Sequence, residues 1–279
     1  LTQAWHAQDR GNPVIDFVDH ALEQIVRRML KKPVEDIHAS DLAMIESLQI
    51  PIWLDLNSLD DLIHFSPLRS FSLRGPRPND FSPDLHPLAF LHQIQTLQLS
   101  RFGGTLQKAT DVSPIGNLTT LTNLVLSDSA VTGASELANL TGLVELELSR
   151  CNLADISFVA GMDQLLALNL QGNNVVDISP LQNLPSLQIL QLGGNVITNI
   201  DILAGMENLE LVGLSCNEIT NIKPLVDNPG IGPGDRVELG GNELDDISKN
   251  TYIPALEARG VEVSFPTRGG CIGLIKEDP

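Results

Sequence analysis

The stretch from Leu187 to Glu210 reads LQILQLGGNVITNIDILAGMENLE. Leu187, Leu190 and Leu192 are followed by Asn195, and the same order begins again at Leu209. A helix would repeat its apolar residues every three or four positions, and a half-buried strand every two. The spacing Leu-x-x-Leu-x-Leu-x-x-Asn keeps neither period, so it describes a unit meant to stack on copies of itself.

The copies are regular enough to count. Leu121, Leu143, Leu165, Leu187 and Leu209 open the pattern at intervals of 22 residues, and Leu124 and Leu126, Leu146 and Leu148, Leu168 and Leu170, Leu190 and Leu192, and Val212 and Leu214 follow in step. Agreement at so many positions marks a repeat architecture. Before this block Ile45, Leu68 and Ile94 open looser turns, with extra residues in RGPRPNDFSPD and RFGGTLQKA, while Val237, Leu239 and Asn242 close the series. The spacing thus gives about eight turns.

In an extended segment alternate side chains face opposite ways, so Leu190 and Leu192 enter the core while Ile189 and Gln191 face solvent. Each turn adds one strand to a parallel sheet. The Asn that follows turns the chain away, and its amide is suited to pairing backbone groups of neighbouring turns that would otherwise be buried without partners. Asn173, Asn195, Asn217 and Asn242 form this column, with Ser129 and Cys151 at the same position of their turns. On the return leg Ile178, Ile200 and Ile222 point inward, and Asp177, Asn199 and Asn221 are placed to accept backbone hydrogen bonds in a tight turn. Pro180 and Pro224 preset the first residues of short helical turns.

The segment PVIDFVDHALEQIVRRMLKKP has Val14, Phe17, Val18, Leu22, Ile25, Val26, Met29 and Leu30 at helical spacing, which predicts an amphipathic helix ended by Pro33. A second short helix is expected with Ser40 as N-cap and Asp41 in its first turn. Arg27, Arg28, Lys31 and Lys32 are cations at a helix end, where the macrodipole favours them.

These residues resemble the leucine-rich repeat family, in particular the short 22-residue class of bacterial internalin-like surface proteins and of the regulatory subunit of a eukaryotic protein phosphatase. VDHALEQIVRRMLKKPVEDIHASDLAMIESL looks like the N-terminal cap of the bacterial members, and NPGIGPGDRVELGGNELDDISKNTYIPALEARGVEV is similar to their closing unit. The resemblance spans residues 14–263 and implies an α/β solenoid: a right-handed coil with a parallel concave sheet, short or 3-10 helices on the convex side, and a helical cap. Residues 1–45 are expected to be the cap, 46–248 the repeats and 249–279 the closing unit and tail.

Charge narrows the partners. Seventeen basic against 35 acidic residues give −18, a surface that repels phosphate backbones and anionic headgroups, so nucleic acid is not an expected partner. No apolar run approaches the roughly 20 residues that span a bilayer, and membrane insertion is not expected. The chain starts at Leu1, consistent with a leader removed upstream; secretion or the cell envelope is the expected location, with the cytoplasm as the alternative. Cys151, Cys216 and Cys271 are too few for a disulfide framework, and Cys151 and Cys216 read as small core residues.

Catalytic patterns are missing from the sequence. All six histidines precede the regular block and the cysteines follow them, so no Cys–His pair is expected. His86 and His92 lack a second pair of metal-ligand spacing. The paired acids Asp60 and Asp61, Glu145 and Glu147, and Asp245 and Asp246 read as solvated faces rather than acid–base pairs, and the Gly193-Gly194-Asn195 and Gly240-Gly241-Asn242 turns lack the Lys and helix start of a phosphate loop. Neither cofactor nor metal is expected.

Function is therefore expected on the exposed sheet face. Its outward residues read Arg74, Gln98, Arg101, Asn123, Val125, Asp128, Glu145, Glu147, Arg150, Asn169, Gln171, Ile189, Gln191, Leu211, Arg236 and Glu238. Between Asp111 and Gly230 there are 13 acidic and two basic residues, which suits a protein partner with a basic surface. The expected function is a non-catalytic, monomeric protein-binding module of a bacterial surface or secreted protein. An intracellular regulatory subunit docking an enzyme such as a phosphatase is the alternative that the resemblance allows.

Overall fold

The computed structural model describes residues 11–51, 56–75, 83–102 and 109–265. The strands are β1 (Ser47–Ile50), β2 (Ser70–Arg74), β3 (Thr96–Ser100), β4 (Thr110–Asp111), β5 (Asn123–Ser127) and β6 (Val131–Thr132). They continue as β7 (Glu145–Ser149), β8 (Ala167–Asn169), β9 (Ile189–Gln191), β10 (Leu211–Gly213), β11 (Arg236–Glu238) and β12 (Glu262–Ser264). Ten of them form one sheet in chain order, every described pairing parallel, and β4 pairs separately with β6. The sheet extends beyond the turns counted from the repeat, because Glu262–Ser264 of the expected closing unit pairs as a tenth strand through Arg236↔Glu262.

Burial follows the repeat. Leu121, Leu143, Leu165, Leu187 and Leu209 are all buried, as are the second and third apolar positions of each turn. Each enclosed leucine contributes about 1.5–3 kcal/mol relative to exposure, and stacking turns is what encloses it. Isoleucines 178, 200 and 222 close the core from the other side and lead into Ser179–Asn183, Asp201–Gly205 and α3 (Lys223–Asp227); the first two are 3-10 helices, since a 22-residue turn leaves little room for more.

The asparagine column is a hydrogen-bond ladder. The Asn195 side-chain N–H groups donate to the Leu170 and Leu192 carbonyls at 3.0 and 2.8 Å, and its oxygen accepts from Val175 N at 2.9 Å. Asn173, Asn217 and Asn242 repeat this with their own neighbours. Ser129 and Cys151 substitute partially: Ser129 accepts from Phe102 N at 2.8 Å, and the Cys151 thiol donates to the Leu126 carbonyl at 3.2 Å. The buried Asn228 was not legible in the repeat, yet it donates to the Leu203 and Met206 carbonyls.

The N-terminal segment departs from its reading. The helix α1 covers only His20–Leu30, capped by Asp19 rather than beginning near Val14, and it ends at Lys31 in the left-handed conformation before Pro33 is reached. Val14, Val18 and Met29 are exposed; Leu22, Ile25 and Val26 carry the packing, with Ile15 and Phe17 partly buried. The second helix, α2 (Ala39–Leu42), takes His38 rather than Ser40 as N-cap, because Asp41 at its third position reaches back to His38 N. The basic cluster is partly tied up locally, Arg27 to Glu23 and Lys32 to Asp41.

Two further readings are corrected. Asp61 is no solvated acid: it is 1% exposed and accepts backbone hydrogen bonds from Val18 and Asp19, just before α1. Cys216 is disulfide-bonded rather than a free core thiol, while Cys151 is free and buried; Cys271 lies outside the described residues.

Candidate functional site

The parallel register turns the strand alternation into rows across the sheet. One row runs Asn123, Glu145, Ala167, Ile189, Leu211, Arg236, each hydrogen-bonded strand to the next. A second runs Gln98, Val125, Glu147, Asn169, Gln191, Gly213, Glu238. A third begins with Arg74 and continues through Ser100, Ser127 and Ser149. Ala167 escaped the turn-by-turn reading of the sequence, although counting 22 from Glu145 finds it.

Side chains in these rows interact along the coil. Asn123 donates to Glu145 at 2.7 Å, Ser149 donates to Glu147 at 2.8 Å, and Gln171 donates to Gln191 at 2.7 Å. Glu145 and Glu147 therefore meet neutral donors, and among the described residues neither forms an ion pair. Arg236 instead pairs within its strand with Glu238 at 3.0 Å. Ile189 is 41% exposed and directly opposite Leu211, with Ala167 on its other side, giving a three-strand apolar strip beside the acids. Gly213 leaves the strip's neighbour low: a Cβ there would lie 1.9 Å from the Gln191 side-chain oxygen.

At the end of the strands each chain turns through one residue. In seven turns this residue is left-handed: Arg101 (φ 54°), Asp128 (55°), Arg150 (54°), Gly172 (69°), Gly194 (70°), Cys216 (59°) and Gly241 (77°). The conformation costs nothing special at glycine but about 1–2 kcal/mol at other residues. Arg150 donates to Asp128 at 2.8 Å and Arg101 approaches it at 3.8 Å, with these side chains 30–53% exposed. Exposed ion pairs return about 0–1 kcal/mol. The pairing does not offset three strained backbones, so stability alone does not account for these charges.

Among the described residues there is no group of three or more His, Cys, Asp or Glu able to hold a metal, and no helix long and apolar enough to cross a membrane. The Cys151 thiol is pushed up to about 12 by burial and secondarily by the Asp128 and Glu147 charges, so it stays protonated at neutral pH and is no nucleophile. The inserted loops Arg74–Asp84 and Arg101–Ala109 lie largely outside the described residues, as does the tail from 266.

Residues 163–205 match the family described as leucine rich repeats (2 copies). The chain folds as a leucine-rich repeat solenoid. It is similar in fold to internalin C2 of Listeria monocytogenes str. 4b F2365, at 24% identity over 90% of this chain and 94% of that one, with a TM-score of 0.59. A leucine-rich repeat protein of Leptospira interrogans matches at 17% identity over 81% and 67% of the two chains, with a TM-score of 0.56. The plant peptide hormone receptor RGFR1, solved in complex with RGF2, matches at 17% identity over 78% of this chain and 38% of the receptor, with a TM-score of 0.52. No curated protein matches in sequence. Solenoids of this repeat are commonly protein-interaction modules, because stacked strands present many independent side chains on a stiff frame.

Proposed function

We propose that this repeat solenoid is a non-catalytic module of a bacterial surface or secreted protein, and that it binds a partner protein through the exposed sheet face. The observation that carries the reading is the juxtaposition in adjacent rows of Glu145 and Glu147 with the apolar strip Ala167, Ile189 and Leu211. An apolar anchor beside acids with neutral donors fits a partner that offers an apolar side chain flanked by lysines or arginines. The acidic excess between Asp111 and Gly230 would steer such a partner in from a distance.

The disulfide at Cys216 supports export, since such bonds persist outside the reducing cytosol. It weighs against the alternative of an intracellular subunit docking a phosphatase-like enzyme. RGFR1 in its complex with RGF2 supports the general reading that this fold engages polypeptide partners.

The test compares wild-type protein with the double variant Glu147→Lys, Leu211→Glu as bait on surface and culture-medium fractions of the source cells. A protein retained by wild type and lost by the double variant, with thermal unfolding unchanged, is the expected result. Retention by wild type and double variant alike, with loss only on changing Asp177 and Asp201 on the return leg, moves the binding surface to the back of the coil.

A further inference from the structure

A cavity of about 510 Å³ opens at the other end of the face, over β1, β2, β3 and β5. Its wall includes Ser72, Arg74, Gln98, Ser100, Ser127 and Asp128. Hydroxyl and amide groups make its floor, with Ser127 donating to Ser100 at 2.9 Å. Arg74 is exposed and forms no ion pair among the described residues. Behind Asp128 stand Arg101 and Arg150, both on left-handed turns of the kind that Gly172, Gly194 and Gly241 occupy in later repeats. One cation, Arg74, thus lines the cavity, and two more reach its edge through Asp128, in a molecule whose net charge is −18.

We infer that this cavity is an anion site that takes a carboxylate-bearing, acidic peptide segment. Arg74 meets the carboxylate from one side, through the paired N–H groups that make guanidinium the usual partner of planar anions. Asp128 acts as a placeholder that holds the Arg101 and Arg150 guanidiniums at the rim until an incoming carboxylate competes for them. Serine hydroxyls and the Gln98 amide supply further donors on the floor. The site is separate from the acidic and apolar rows assigned above and opposite to them in charge. A partner engaging both would be fixed in direction along the coil, but neither site needs the other.

The probe is a fluorescein-labelled pentaglutamate peptide titrated against the full chain at low salt and followed by anisotropy, with pentaglutamine as control. The net negative charge suppresses nonspecific binding of such a polyanion, so saturable binding of pentaglutamate alone is the expected result. Arg74→Gln should weaken it about tenfold, the loss of one charge-assisted hydrogen bond. Arg101→Gly with Arg150→Gly should weaken it at least as much while leaving the melting temperature unchanged or higher, since glycine suits those backbones. Asp128→Asn should tighten it by removing the carboxylate that competes for Arg101 and Arg150. Absence of saturable binding, equal affinity in the arginine variants, weakening by Asp128→Asn, or complete displacement by millimolar inorganic phosphate would each overturn the proposal.

Discussion

Asp19 and Asp61 clasp one another's chain. The Asp61 carboxylate accepts from Val18 N and Asp19 N at 2.9 and 2.8 Å, while Asp19 accepts from Asn57 N and Ser58 N at 2.7 and 3.2 Å and also caps α1 through Ala21 N and Leu22 N. Both acids are almost fully buried, so each replaces lost water with backbone donors. The clasp joins the N-terminal helix to the following turn, where the sheet's first edge begins.

Asp61→Ala should consequently destabilise the protein by about 3 kcal/mol, because two buried N–H groups lose a charged acceptor. Asp60→Ala, on the exposed neighbour, should cost under about 0.5 kcal/mol. Urea unfolding midpoints separate the two; equal midpoints would show that the clasp contributes nothing.

We further propose that residues 1–45 act as a cap. Deleting them would uncover aliphatic core and the free edge of β1, which invites pairing with other chains. Light scattering should then report association, whereas a monomeric truncation with unchanged melting would count against a capping role.

Within the ladder, Asn195→Ala removes three buried hydrogen bonds and should cost about 1–3 kcal/mol. Asn199 is exposed and accepts from Asp201 N at 2.7 Å, so its alanine variant should cost less. Denaturant midpoints in the reverse order would refute the ladder's role.

Acid sensitivity should come partly from the return-leg turns. Backbone hydrogen bonds from Ser157, Ser179 and Ser248 hold Asp155, Asp177 and Asp245 below the usual carboxylate range. Depressed folded values mean that this stabilisation is present above the unfolded value of about 3.9 and is lost as pH falls through the lower folded one. Asp155→Asn with Asp177→Asn should keep the turns, as Asn199 and Asn221 do in their own repeats, and should flatten stability against pH below about 4. Melting curves between acid and neutral pH measure the difference; identical acid slopes would exclude these carboxylates as its source.

The two described cysteines should behave oppositely. Reductant should lower the melting temperature of wild type to that of Cys216→Ser, as a disulfide constrains the unfolded chain. Cys151, buried with its thiol pushed up to about 12, should resist iodoacetamide in the native state and react on unfolding. Rapid native alkylation at Cys151, read by mass spectrometry, would contradict its burial.

The sequence alone determined the solenoid, because each leucine of the 22-residue period must be buried and stacking is the arrangement that buries all of them. It likewise determined the asparagine ladder, the inward isoleucines and which side chains face out, since strand alternation and repeat spacing are local rules. Tertiary structure decided what depends on contacts between distant residues. Asp61 looks like one of a surface pair until Val18 and Asp19 are brought against it across more than 40 positions. Val14 and Val18 fit a helical period, yet helix α1 starts only where Asp19 can cap it while reaching Asn57. The gathering of Arg74, Arg101, Asp128 and Arg150 at one end of the face is also invisible in the chain order. They come together because insertions change the sequence spacing of early turns without changing the strand-to-strand register, which is fixed by backbone hydrogen bonds.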